Sequence, residues 1–201
     1  MTHPSFETLL DAARAAHVRH PALHRFCAFP DDLTATPVTP HHIPAADLMA
    51  RDPLLQTPYL PPLARAFVAA GPHATWRETY RNTGIGDDFL ARFGCYCLIG
   101  PGGAYQSAQM HAFVVYMPPG LCYPRHHHPG EEMYFLLAGA AEFHRDGAAP
   151  EILSPGQGVI HASNQPHATE TLDRPLLAYV IWRSHLGIPP VLTMPAPPAR
   201  D

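Results

Sequence analysis

The rhythm of hydrophobic and polar positions changes near residue 90. Before it, apolar residues recur at helical spacing. Phe6, Leu9, Leu10, Ala13 and Val18 form a stripe that predicts a helix over residues 4–20, with Ser5 as its cap. Residues 26–44 are rich in Pro, Thr and Asp and predict an irregular loop. Ala45–Arg51 and Pro62–Ala70 predict short helices, the second with its proline in the tolerated first turn. Trp76–Asn82 predicts a further helical turn. Beyond residue 90 the apolar runs shorten. Arg92–Ile99, Met110–Met117, Met133–Leu137, Ala141–Arg145, Gly158–His161, Ala168–Leu172 and Leu176–Arg183 predict strands. Gly, Pro, Asp and Asn separate them at intervals of roughly 8–12 residues, the spacing of an all-β sandwich or barrel. The expected organisation is a helical cap over residues 1–90, a β-barrel over 91–186 and a proline-rich tail over 187–201, wrapped on the surface or frayed.

Composition narrows the chemistry. The chain has 201 residues, 25 prolines and no lysine, so its 13 basic residues are all arginine. Without lysine, Schiff-base, pyridoxal-phosphate and P-loop mechanisms are excluded. The net charge of −4 and the absence of a basic run argue against a nucleic-acid partner. No apolar stretch reaches membrane-spanning length, and the first residues carry no secretory signal pattern. Cys27, Cys95, Cys97 and Cys122 form no CxxC pair, and a reduced, cytoplasmic setting is expected.

The chemistry concentrates between Gly120 and Gly139. His126 and His128 share one strand face, since side chains alternate with period two, and Glu132 and Tyr134 share a face of the following strand. His127 and Glu131 fall on the opposite faces. Two imidazoles and a carboxylate from neighbouring strands can hold a divalent transition metal if a third nitrogen arrives from elsewhere. His167 is the favoured donor, and His161 its competitor. A solvated, functionless histidine run would leave the offsets of Gly120, Glu132 and Gly139 unexplained.

The spacing Gly120-x5-His126-x-His128-x3-Glu132-x6-Gly139 resembles the first cupin motif at every fixed position. Pro155-Gly156, followed downstream by His167, resembles the second more weakly: the Asp common after Pro-Gly is absent, and Thr171 stands for the usual Asn. The resemblance covers about residues 92–185 and implies a mainly β fold, the cupin double-stranded β-helix or jelly-roll barrel, here with an N-terminal helical extension. The longer pattern Tyr123-Pro-x-His126-x-His128-x3-Glu132-x-Tyr134 resembles the cupin dimethylsulfoniopropionate (DMSP) lyases.

That resemblance implies one divalent transition ion, Fe, Zn or Mn. It gives the ligand set as His128, Glu132 and His167, with His126 completing the coordination sphere or touching substrate. Tyr134 is implied as general base. Tyr123 and Trp182 are implied as substrate contacts, Tyr123 with a catalytic share. The implied reaction is metal-dependent β-elimination of a small-molecule substrate, DMSP, to dimethyl sulfide and acrylate. A homodimer is also in keeping with the resemblance. Two other readings stay open from the residues: an Fe(II) dioxygenase or other cupin enzyme on a different small substrate, and a ligand-binding cupin without turnover. Tyr134 could equally be a core aromatic bonded to Glu132, and Trp182 a core residue.

Overall fold

The computed structural model describes residues 3–193. Its helices come first: α1 (Pro4–Arg19), α2 (Pro21–Phe26), α3 (Pro44–Arg51), α4 (Pro62–Ala70) and α5 (Asp87–Arg92). The first four each begin on a proline, where a missing N–H costs nothing and the fixed φ suits a helix start. This use of proline moves the cap of α1. The N-cap is His3, whose Nδ1 accepts from the backbone N–H of Ser5, and Pro4 opens the helix. The helical turn expected at Trp76–Asn82 is instead an extended bridge from Trp76 to Tyr96 followed by turns.

The strands are β1 (Thr34–Ala35), β2 (Gly94–Ile99), β3 (Tyr105–Gln106), β4 (His111–Met117), β5 (Cys122–His127), β6 (Glu131–Gly139), β7 (Ala141–Arg145), β8 (Glu151–Leu153), β9 (Gly158–His161), β10 (His167–Glu170), β11 (Leu176–Arg183) and β12 (Val191–Leu192). They form two sheets, ordered β1-β3-β2-β4-β11-β6-β9 and β12-β5-β10-β7-β8. This is the cupin-like β-sandwich with N-terminal helices that the sequence predicts. Among the described residues, no helix is long and apolar enough to cross a membrane.

The larger sheet is covered on both faces, and its strands divide residue by residue. On β6, Met133, Phe135 and Leu137 join a core shared with the helices, including Phe6, Leu9 and Phe67. Tyr134 and Leu136 point the other way, into the barrel. On β11, Leu177, Tyr179 and Ile181 face the helices, whereas Ala178, Val180 and Trp182 face the barrel. The period-two pleat therefore gives one strand two cores, which is why these segments read as continuous apolar runs. In the smaller sheet β5 buries Tyr123 and His126 and exposes Cys122 and Arg125; the three-residue spacing accompanies a register shift in its pairing with β10.

Two glycines of the motif take left-handed backbone. Gly120 (φ 66°) turns the chain into β5, and its N–H reaches the carbonyls of Thr171 and Leu172. Gly139 (φ 77°) ends β6, where a Cβ would overlap the Pro175 carbonyl oxygen, well inside van der Waals contact. Gly139→Ala combines left-handed strain with displacement of a backbone carbonyl. The expected loss is about 3 kcal/mol, read as a lower denaturant midpoint; an unchanged midpoint would contradict the close approach.

His17 joins α1 to the barrel. It is 2% exposed, its Nε2 lies 3.3 Å from the Tyr179 hydroxyl, and burial lowers its pKa from 6.5 to about 4. The unfolded chain then binds more protons than the folded one between those values. Stability from the neutral ring is present above pH 6.5 and is lost as pH falls towards 4, by up to about 3 kcal/mol. His17→Gln, which retains a hydrogen-bonding group for Tyr179, should show a shallower acid loss of urea stability over that interval. Parallel curves would contradict this assignment.

Candidate metal centre and active site

The candidate site lies between the sheets at one end of the barrel. His126 on β5 sits opposite His167 on β10 in the smaller sheet. Glu132 on β6 sits opposite both His161 on β9 and Trp182 on β11 in the larger one. His128 follows β5 in the short crossing to β6. The four histidines and Glu132 are all buried, Glu132 at 3% exposure.

Backbone carbonyls set the histidine tautomers. His126 Nδ1 lies 2.9 Å from the Pro124 carbonyl oxygen, His128 Nδ1 2.8 Å from that of Gly130, and His167 Nδ1 2.8 Å from that of Gln165. A carbonyl only accepts, so each Nδ1 carries a proton, and in the neutral ring each Nε2 keeps a lone pair. One ligand atom from each of the three histidines gathers within 4.8 Å of the others. The Glu132 Oε2 atom lies 3.5 Å from His128 Nε2 and 3.2 Å from His167 Nε2. In their neutral, ligand-ready form, imidazole nitrogens facing a carboxylate are acceptors facing an acceptor. The buried Nε2 atoms of His128 and His167 have no hydrogen-bond partner among the described residues. A cation among them removes that mismatch, so this donor set fits a divalent metal.

The other contacts of Glu132 fix its pose. Trp182 Nε1 donates to Oε1 at 2.6 Å, and His161 Nδ1 lies 2.8 Å from Oε2. Trp182 also stacks on His128, with ring centroids 4.0 Å apart. It is thus a cavity-wall residue that holds two of the expected ligands. His161 belongs to the cluster more closely than the sequence suggested. It is fully buried, stacks on His167 at 3.8 Å, and groups with Glu132 and His167 as a second possible ligand trio. Its parity with Val159 on β9, both inward, was the available signal.

A cavity of about 250 Å³ opens beside the centre. Glu132, Tyr134, Tyr123 and Trp182 line it, together with Phe93 and Phe113. Residues Leu186 to Pro190 form its roof, and β12 beyond them pairs with β5 at His126 and His127. The predicted tail therefore takes part in the site; its residues 194–201 lie outside the described residues. Tyr123 stacks on His126 at 3.9 Å, and its hydroxyl meets that of Tyr80 at 2.7 Å. Tyr134 packs against Phe143 and His161, and its hydroxyl donates no bond to Glu132, whose oxygens accept from Trp182 and His161. Burial holds the Tyr134 hydroxyl well above the ordinary phenol range, and the Glu132 charge adds to this. Burial does the same to Tyr123. His127, as its face predicts, points away and bonds Thr193. His144 stands apart beside Glu142. Tyr80, Phe93 and Phe113 are site residues for which the sequence carried no spacing signal.

A profile of the dimethylsulfoniopropionate lyase family matches residues 17–178, most of the chain, including His126, His128, Glu132, Tyr134 and His167. The chain belongs to the DMSP lyase family. Dimethylsulfoniopropionate lyase DddQ of Ruegeria pomeroyi is 53% identical over 194 residues, covering 96% of each chain. The crystal structure of that DMSP lyase superposes with a TM-score of 0.92, covering 96% of this chain and 98% of the other. A solved structure described with the DMSP lyases RdDddP and RnDddQII is 38% identical, with a TM-score of 0.89 over 95% of this chain and 98% of that one. Membership of the DMSP lyase family thus extends over the helical cap as well as the barrel.

Proposed function

We propose that this protein cleaves DMSP to dimethyl sulfide and acrylate. The observation that carries this reading is the convergence of three imidazole nitrogens and Glu132 beside Tyr134, at the wall of an aromatic cavity. Membership in the family supports it. In the proposed site His126, His128, Glu132 and His167 hold one divalent transition ion. When bound, that ion supplies a Lewis acid that polarises a carboxylate and favours the phenolate of a neighbouring tyrosine.

The chain's own residues do the rest. Tyr134 accepts the α-proton of the substrate. The C–H electron pair becomes the new double bond, the C–S bond breaks, and neutral dimethyl sulfide leaves with the C–S electron pair. Acrylate remains, and Tyr134 returns its proton to solvent. The sulfonium cation is attracted to the ring faces of Tyr123, Trp182 and Phe93. Tyr80 holds the Tyr123 hydroxyl, so that this ring keeps its stack on His126. Trp182 fixes Glu132 through its indole N–H. Leu186 to Pro190 limit access of water to the reacting atoms. A cytoplasmic setting accords with four free cysteines, and a homodimer remains part of the proposal.

The test is headspace gas chromatography for dimethyl sulfide. Protein loaded separately with Fe(II), Mn(II) or Zn(II) is given DMSP while oxygen is monitored. Release that depends on the metal, without oxygen uptake, is the expected result. No release at verified metal occupancy would overturn the substrate, and oxygen uptake would favour the dioxygenase reading.

A further inference from the structure

The strands on either side of β6 each place a ring beside Glu132. Trp182 on β11 and His161 on β9 are its two cross-strand partners. Their contacts match. Trp182 donates from Nε1 to Oε1 at 2.6 Å and stacks on His128, with centroids 4.0 Å apart and planes at 23°. His161 holds Nδ1 2.8 Å from Oε2 and stacks on His167, at 3.8 Å and 17°. Each ring thus meets one oxygen of Glu132 and one imidazole of the donor set.

The nitrogens of His161 set it apart from the other histidines of the site. His126, His128 and His167 each tie Nδ1 to a backbone carbonyl and leave Nε2 as the free lone pair. His161 has only Glu132 at Nδ1, and its Nε2 is buried with no partner among the described residues. A proton on Nε2 would find no acceptor, and Nδ1 would then face an ionised oxygen lone pair to lone pair. A proton on Nδ1 makes a charge-assisted bond instead. Glu132, His161 and His167 lie close enough to form a ligand trio of their own. Ligation through Nδ1 would cost that proton and the bond to Oε2.

We propose that His161 is a positioning residue of the metal centre and not one of its ligands: its Nδ1–H fixes Glu132 Oε2 between His128 and His167, and its ring braces His167. This rests on the reading of His126, His128, Glu132 and His167 as ligands, and not on DMSP as substrate. Oε2 is the oxygen that lies 3.5 Å from His128 Nε2 and 3.2 Å from His167 Nε2. Trp182 alone holds Oε1, and a carboxylate held at one oxygen can pivot about that bond. The second donor removes this freedom, so the oxygen is in place before an ion arrives.

Three variants separate the donor from the ring. His161→Asn keeps an N–H near the Nδ1 position and loses the ring. His161→Leu has nearly the shape of the Asn variant without the donor. His161→Phe keeps a flat ring without the donor. Affinity for Co(II) and Zn(II) is measured by competition with a chelator, and the visible spectrum of each Co(II)-loaded protein is recorded at full occupancy. His161→Leu should bind about 10- to 100-fold more weakly than wild type, with shifted Co(II) bands as Glu132 changes its pose. His161→Asn should recover most of the affinity and the wild-type band positions, and His161→Phe should fall between the two. Should His161→Leu fail to fold, His161→Phe against His161→Asn makes the same comparison. Wild-type affinity and spectrum in His161→Leu would overturn the assignment. So would a loss in His161→Asn as large as in His161→Leu, which is what a ligand or a mere packing residue would give. A wild type that binds neither ion would remove the centre, and this role with it, before any variant is compared.

Discussion

Tyr134→Phe is expected to abolish dimethyl sulfide release while leaving fold and metal content intact. The substitution removes one oxygen from a ring that is buried against Phe143 and His161. That hydroxyl donates no bond to Glu132, so its loss leaves no orphaned carboxylate. The packing term is therefore small, and melting temperature and metal stoichiometry should match wild type. The kinetic term is large. Loss of a positioned general base typically costs about 10²- to 10⁴-fold in rate. The fall should appear in kcat, with KM little altered, because the proton is taken only in the transition state. Full activity in Tyr134→Phe would remove it as base and direct attention to Tyr123, whose hydroxyl pairs with Tyr80.

Glu132→Gln should act through the metal instead. The two carboxylate oxygens accept from Trp182 Nε1 and from His161 Nδ1. A glutamine offers one oxygen and one NH₂ group of the same shape. With the NH₂ towards Trp182 two donors meet; with it towards His161 that ring must shift its proton to Nε2; in both cases the anion facing His128 and His167 is gone. The expected result is metal affinity lowered by about 100-fold or more, measured by competition with a chelator, and activity lost in proportion to occupancy. Excess metal should restore part of the activity, which it cannot do for Tyr134→Phe. Wild-type metal affinity in Glu132→Gln would exclude Glu132 from the ligand set and leave a centre built from His126, His128 and His167, with His161 as the next candidate.

The central site was legible because its parts are fixed at short, regular offsets. His126, His128, Glu132 and Tyr134 lie on two successive strands, and parity assigns their faces. His161 was less legible because it reaches Glu132 through the pairing of β9 with β6, which spacing does not encode. Cavity walls were less legible still. On β2 and β4 both faces are buried, so Cys95 and Phe113 look no different from Tyr96 and Val114, which face the helices. Arg77, which also lines the cavity, precedes β2 in a segment whose extended bridge depends on Tyr96, a contact with no local signature. The proline run after Leu186 read as a surface tail because its strand, β12, has two residues and gains its place only by pairing with β5.

The two-faced pleat of β6 has a consequence for inheritance. Even-numbered positions such as Glu132 and Tyr134 face the barrel, and odd-numbered ones such as Met133 and Phe135 face the helices. Substitutions can therefore accumulate on one set without touching the other, and relatives are free to diverge in their helical packing while keeping one chemistry. A single-residue insertion near Glu131 is the change this arrangement cannot absorb. It would exchange the two sets, turning the carboxylate and phenol into the helix layer and a thioether and phenyl ring into the metal site. Length, more than identity, is what this strand must preserve.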